Sequence, residues 1–396
     1  MGFPTGFVIT LAMFAGGLVN YFENRERYSM PQNWLMPVYI MLIFASTLVA
    51  TDFEIATDQS VIFAKRVAVF FAIVWLVNTR ERVYFTIRCF LVMVIFLAFQ
   101  AMLQAETGLA WGGATLMPGY AEIRVRWHGD WDGPNVFAML FIVGISFAME
   151  FLFGPYKLTA RVASLFVMVV SCVAIFFTNS RGAVLALVGM IALYFKDRFS
   201  KPVAIGLVVV LVLGVTALGP SRMSEINTKE SSARERSWAW EQGLNLLQAH
   251  PLLGVGRDQF RKKIDSGLVA HNNYVQNFSE LGLMGFFVFI ALMWCCGKSG
   301  YLLSQLKRPD DPHIASLGRM ILGSVSGYAI VTFFVVMELD LLYFLMGICM
   351  AIYQTIRCEA PELPALALTR LDTTGVVAVM GGLLIAVWLI AVKSVV

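Results

Sequence analysis

Three cationic or titratable side chains stand out for the chemistry they could do together: Arg181, Arg236 and His271. His271 opens the stretch His271-Asn272-Asn273-Tyr274-Val275-Gln276-Asn277-Phe278-Ser279-Glu280-Leu281-Gly282, where a polar segment runs into the apolar run Leu283 to Cys296. An ionisable ring at the mouth of such a segment is costly without a task. With an ordinary pKa of about 6.5, histidine can accept a proton from a hydroxyl near neutral pH and so sharpen that oxygen as a nucleophile. Arginine's planar fork pairs two phosphate oxygens and keeps its proton, which suits a lipid diphosphate at a bilayer surface. One histidine with two arginines therefore reads as attack by an acceptor hydroxyl on a carbon whose leaving group is a diphosphate. A plainer account stands beside it. Asn272 or Asn273 would cap a helix with His271 merely interfacial, and Arg181, in Thr178-Asn179-Ser180-Arg181-Gly182-Ala183, would be a snorkelling anchor.

At helical spacing His271, Tyr274 and Phe278 share one face, and Asn273, Asn277 and Glu280 another. Asn273, Tyr274 and Glu280 are accordingly candidates to orient the ring or bind substrate, with Arg126 and Arg66 as further substrate contacts. Glu280 could equally pair with a basic residue of the bundle. Lys65 and Arg66 would reach a phosphate only if the third helix starts lower than its apolar run implies. Asp130 and Asp132 form an Asp-x-Asp, a weak metal signal. A turn and helix cap made by Asp132, Pro134 and Asn135 is the preferred reading there. His128, His250 and His313 lack ligand partners at useful spacing and read as interfacial. No metal site and no cofactor are expected.

The elements that must position these residues follow from composition. The chain has 396 residues, of which 58% are hydrophobic and only 14% charged, and its mean hydropathy is +0.72. Such a composition lies far outside the soluble range and makes this an all-α polytopic membrane protein. The net charge of +4 comes from scattered Lys and Arg, so nucleic-acid binding is excluded. Five of the six cysteines fall in apolar runs and Cys358 lies just past one, without metal-ligand spacing, so they read as buried spectators. No basic region precedes the first apolar stretch, which predicts a retained first span.

Apolar runs of membrane length predict about twelve helices, at 3–20, 34–51, 61–78, 83–103, 134–153, 160–178, 182–195, 202–219, 272–297, 313–336, 339–356 and 374–393. The chain then divides into residues 1–219, with helices one to eight and an outer loop at 104–133; 220–271, a larger outer loop; and 272–396, with helices nine to twelve. Short loops rich in Lys and Arg, such as those with Arg80 and Arg82, Lys157 and Arg161, or Lys307 and Arg308, are cytoplasmic by the positive-inside rule. Loops with Asp52, Glu54 and Asp58, or Glu338 and Asp340, are outside. Both chain ends then lie outside the cytoplasm, and Arg181, Arg236 and His271 all meet the outer face. The large loop is helical from Ala233 to Ala249, where Trp240, Leu244 and Leu247 form an apolar stripe suited to the membrane surface. It ends at His250-Pro251, and Gly254-Val255-Gly256 follows as a turn.

Several short motifs resemble those of the O-antigen ligase and polymerase superfamily of bacterial membrane glycosyltransferases. They are Asn179-Ser180-Arg181-Gly182, Arg236 followed by Trp240, Pro251-Leu252-Leu253-Gly254-Val255-Gly256, His271-Asn272-Asn273-Tyr274, and Glu280-Leu281-Gly282. Asp132-Gly133-Pro134-Asn135 is similar to the family's Asp-Pro-Asn segment with one residue inserted, so no role is carried to Asp132. Each motif is short, and the combination in this order is the specific signal. The resemblance implies metal-independent, inverting transfer of a glycan from an undecaprenyl diphosphate carrier to an acceptor hydroxyl on the periplasmic side of a bacterial inner membrane. It makes His271 the general base, with Arg181 and Arg236 holding the diphosphate. The acceptor would be a lipid A core sugar, a growing glycan or a protein hydroxyl. The segment from Arg124 to Asp132 is similar to a branch of O-glycosylation ligases tied to exopolysaccharide and protein-sorting systems. A polymerase of the same superfamily, or a transporter or flippase of lipid-linked sugars, is the alternative; the absence of an internal repeat counts against the transporter.

Overall fold

The computed structural model describes residues 5–23, 30–118, 122–195, 231–264, 267–336 and 340–393. Its regular structure there is helical, in the order α1 (Thr5–Glu23), α2 (Pro31–Thr47), α3 (Phe53–Leu76), α4 (Arg80–Thr107), α5 (Pro134–Phe153), α6 (Leu158–Thr178), α7 (Arg181–Phe195), α8 (Ser231–Ala249), α9 (Asn273–Gln305), α10 (His313–Val331), α11 (Asp340–Glu359) and α12 (Arg370–Lys393), with single turns at Trp111–Gly113, Gly129–Trp131 and Phe260–Lys263. Eight of these are long and apolar enough to cross a membrane: α3, α4, α5, α6, α9, α10, α11 and α12. They match eight of the twelve expected spans, so the chain is a multi-pass membrane protein. α1 and α2 are helical but outside that set, α7 is a shorter apolar helix, and the span expected at 202–219 lies outside the described residues.

Most spans run beyond their apolar cores. The clearest correction is α3, expected at 61–78. It begins at Phe53, because the Asp52 carboxylate accepts from the Ile55 N–H at 3.0 Å and caps the helix there. The expected outer turn thus contributes its first helical turns, and Lys65 and Arg66 fall in mid-helix. A second correction concerns the thiols: Cys295, Cys296 and Cys349 are buried, whereas Cys89, Cys172 and Cys358 are exposed.

The chain forms two compact units, each drawn from separated stretches. The first comprises Met1–Val83, Thr228–Ser299 and Glu338–Val396. In it α3 packs on α1, α2 and α11, and α8 meets α12. Gln354 Nε2 donates to the Val74 carbonyl at 2.7 Å, a polar tie between α11 and α3. The Lys298 ammonium and Trp294 Nε1 both donate to the Asp372 carboxylate, at 2.6 and 3.0 Å, fastening α12 to α9.

The second unit comprises Tyr84–Asn227 and Gly300–Met337. Its centre is α5, which is apolar around its whole circumference and buried along nearly all of its length, as such a helix must be. α6, α7 and α10 pack around it. Small residues let α10 come close: Gly323 and Gly327 face Ser146 and Ile142 with no room for a methyl group, and Ser146 Oγ donates to the Met320 carbonyl at 2.9 Å. α6 keeps Leu158, Val162, Leu165 and Val169 exposed along one side, an apolar stripe toward lipid.

Candidate functional site

The site in the first unit is built where α8, the loop after it and the start of α9 meet. α9 is broken rather than continuous: Gly282 adopts φ 63°, ψ −167°. A break in a membrane segment strands backbone groups that lipid cannot satisfy. The loop at 251–256 supplies the partners. The Leu283 N–H donates to the Pro251 carbonyl at 2.8 Å, while Val255 and Gly256 N–H donate to the Ser279 and Glu280 carbonyls, each at 3.0 Å. This backbone clasp demands glycine. A Cβ on Gly282 would lie 2.3 Å from the Leu252 carbonyl oxygen, and one on Gly254 would lie 2.3 Å from the Glu280 carbonyl carbon; both residues have positive φ.

The clasp loop is anchored in turn. Gln259 Oε1 accepts from the Asp52 N–H at 3.0 Å, Lys262 donates to the Asp52 carboxylate at 2.5 Å, and the Arg257 guanidinium lies over the Phe63 ring at 5.5 Å. The Lys262 hydrogen bond, reinforced by the Ile55 N–H, holds the Asp52 carboxyl below its ordinary range. Glu280 is buried and accepts from the Phe260 N–H at 3.3 Å and from the Gln276 amide. Its carboxylate therefore serves the clasp.

His271 sits at the edge of this assembly, and its place differs from the helical-face expectation. With φ 49° it lies in a left-handed turn ahead of α9, so it does not share a helical face with Tyr274 and Phe278. Neighbours fix the turn. Trp240 Nε1 donates to the Ala270 carbonyl at 2.8 Å, and the Ala270 N–H donates to Gln276 Oε1 at 3.4 Å. The cap expected from Asn272 or Asn273 is made by Asn272, whose Oδ1 accepts from the Tyr274 and Val275 N–H at 2.9 and 3.2 Å. Asn273 and Tyr274 are buried behind it, with the Tyr274 ring 6.3 Å from that of Phe289. Asn277 donates to the Tyr39 hydroxyl at 2.5 Å.

α8 brings Arg236 to this turn. It starts at Ser231 and buries Ala239, Trp240, Gly243 and Leu247, while Leu244 is only half-buried. The apolar stripe read for a membrane surface is thus largely a docking face: Gly243 presses on Val275, and its carbonyl accepts from Ser279 Oγ at 3.1 Å. Arg236, one turn before Trp240, is half-buried and acts electrostatically on His271. Burial, with the Arg236 charge adding to it, pushes the His271 imidazole down to about 4. At neutral pH the ring is uncharged and can accept a proton.

The other expected site residues are placed as follows. Arg66, in the first unit, lies 3.9 Å from Asp340 at the start of α11. Arg181 and Arg126 belong to the second. Asn179 ends α6 in a left-handed conformation, Ser180 Oγ accepts from the Ala183 N–H at 3.2 Å, and Arg181 is the first residue of α7, half-exposed. Arg126 is committed to its own loop: it donates to the Thr115 carbonyl at 2.9 Å, to Thr115 Oγ1 at 3.1 Å and to Asp132 Oδ1 at 2.6 Å. The Asp132 carboxylate is taken by that pair and does not cap α5. Gly133 occupies the cap position without a side-chain bond, and Pro134 opens the helix as expected.

Sequence reasoning missed the pin from Trp240 and the pairing of the two glycine motifs. The sequence shows each motif separately. The signal that could have joined them is that a Gly-x-Gly turn and a helix-interior glycine each advertise a close backbone approach.

No curated protein matches the chain at significant similarity. Residues 166–290, which run from α6 through the clasp and the Gly282 break, match the family model described as O-Antigen ligase. That stretch contains Arg181, Arg236 and His271. The likeness is confined to that stretch of the 396 residues, and it supports the resemblance to the O-antigen ligase superfamily drawn from the motifs.

Proposed function

We propose that this protein is a membrane glycan ligase that moves a saccharide from an undecaprenyl diphosphate carrier to an acceptor hydroxyl on the periplasmic side of a bacterial inner membrane. The observation that carries the reading is the uncharged His271 beside Arg236, on a turn whose backbone other residues hold. His271 accepts the acceptor's hydroxyl proton. The oxygen bonds to the anomeric carbon from the face opposite the diphosphate, the carbon–oxygen bond to phosphate breaks, and the diphosphate departs with the electron pair, giving inversion. Arg236 stabilises that departing charge, the task that the family resemblance also gives Arg181. A diphosphate beside Arg236 would also offset the charge that depresses His271, so carrier binding strengthens the base it needs.

The test is transfer by purified protein supplied with lipid-linked oligosaccharide and candidate acceptors, read by the mass of the acceptor. His271→Ala should lower the rate by about a hundredfold to ten-thousandfold, the usual worth of a general base. Arg236→Ala should be nearly as damaging, with Arg236→Lys recovering part of the rate because charge survives without the fork. Because the folded-state pKa of His271 is depressed, the base form persists as pH falls below about 6.5. The acid limb of kcat/KM should therefore fall near pH 4, with that of kcat displaced upward by the bound diphosphate. Full activity in His271→Ala would sink the assignment. A broken membrane helix is also a transporter feature, and carrier movement without a heavier acceptor would favour that reading.

A further inference from the structure

At the end of the second unit remote from Arg181, the turn between α5 and α6 and the start of α10 enclose a cavity of about 390 Å³ lined by Arg161, Arg319, Ser316, Gly154, Pro155 and Pro312. Two helix N-termini meet it. Neither α6, which begins after Lys157, nor α10, which begins after Pro312, has a side-chain cap, so the positive ends of two helix dipoles lie beside the cavity. The two arginines add full charges with unspent donors. Arg161 is exposed and places one guanidinium nitrogen 3.2 Å from the Gly154 carbonyl, and Arg319 Nε is buried without a hydrogen-bond partner among the described residues. The neighbouring carboxylates do not cancel this. Glu150 lies buried under the turn, where it accepts from the Tyr156 hydroxyl at 2.9 Å and offsets part of the Arg319 charge; Asp310 pairs with Arg308 at 3.4 Å; and Asp311 stands just before Pro312.

The same end carries the start of the exposed apolar stripe of α6. Leu158 and Val162 flank Arg161 and are 75% and 58% exposed, and Leu165 and Val169 continue the line along the helix. A ligand combining a phosphate with long acyl chains would satisfy both features at once: phosphate on the arginines, chains along the stripe. We propose that this cavity binds the phosphate of an anionic phospholipid whose acyl chains lie along the exposed face of α6. The proposal does not depend on the glycan-transfer reading, since none of its residues belongs to the His271 site.

The experiment is native mass spectrometry of the delipidated full chain titrated with phosphatidylglycerol, with phosphatidylethanolamine, and with phosphatidylglycerol in the presence of inorganic phosphate. Phosphatidylglycerol should be retained over the zwitterionic lipid, and the Arg161→Ala, Arg319→Ala double variant should lose about tenfold or more of that affinity. Replacing both arginines by lysine should restore part of it. Arg161 is exposed, so Arg161→Ala alone supplies a folded variant with an intermediate loss should the double variant unfold. Equal retention of the two lipids would overturn the proposal, as would undiminished phosphatidylglycerol binding by the variants. Displacement of the lipid by millimolar inorganic phosphate would also overturn it, since the site would then hold a free anion rather than a lipid.

Discussion

The turn that carries His271 and the loop that carries Arg126 solve the same problem with different materials. Both fix a polar segment next to membrane helices. Around His271 the holding is done by backbone and by neighbouring side chains: the clasp at Gly282, the Trp240 bond to the Ala270 carbonyl and the Asn272 cap. In the Arg126 loop the cation's own side chain is spent on the holding, through Thr115 and Asp132, beside the buried Gln104, which accepts from the Arg126 N–H and donates to the Ala114 carbonyl, each at 2.8 Å. An arginine used in this way has little left for a ligand. The contrast separates cations that build a segment from groups that the segment presents, a distinction that residue type alone does not make.

Substitutions that attack each kind of fastening test this contrast. The largest effect should come from Gly282→Ala, because the new methyl meets the Leu252 carbonyl and the residue must keep a positive φ. Steric overlap and backbone strain together predict a loss of about 3 kcal/mol, seen as a lower unfolding midpoint and loss of transfer together. Wild-type stability in that variant would mean that the helix break is not held by the clasp. Trp240→Phe should cost less, about 1 to 3 kcal/mol for a buried carbonyl left unmet. Its informative readout is a fall in kcat with the carrier's KM little changed, since the ring that positions the base has lost its pin. A change confined to KM would argue that Trp240 touches substrate.

Arg126→Ala should do least. The Arg126–Asp132 pair is partly exposed, so its removal should cost about 1 kcal/mol or less and leave transfer near the parent rate. A large loss of activity without loss of stability would return Arg126 to the substrate-binding set and blur the contrast between the two regions.

Much of this was legible in the chain itself. Unbroken apolar runs can only be buried or placed in lipid, which made the membrane class and eight of the spans unavoidable. His271, Arg181 and Arg236 could be singled out because charge near such runs is costly. Other features could not be read because they depend on partners distant in sequence. The anchoring of Asp52, the cap of α3, depends on Gln259 and Lys262 more than two hundred residues away. The break at Gly282 needed the Pro251–Gly256 backbone as its complement, and a helical periodicity drawn through His271 could not foresee a left-handed turn there. Sequence determined which groups exist and roughly how deep they lie, because hydropathy is local. Tertiary structure decided which remain available for chemistry, because hydrogen bonds to distant residues commit a side chain in ways that its own neighbours in the chain do not reveal.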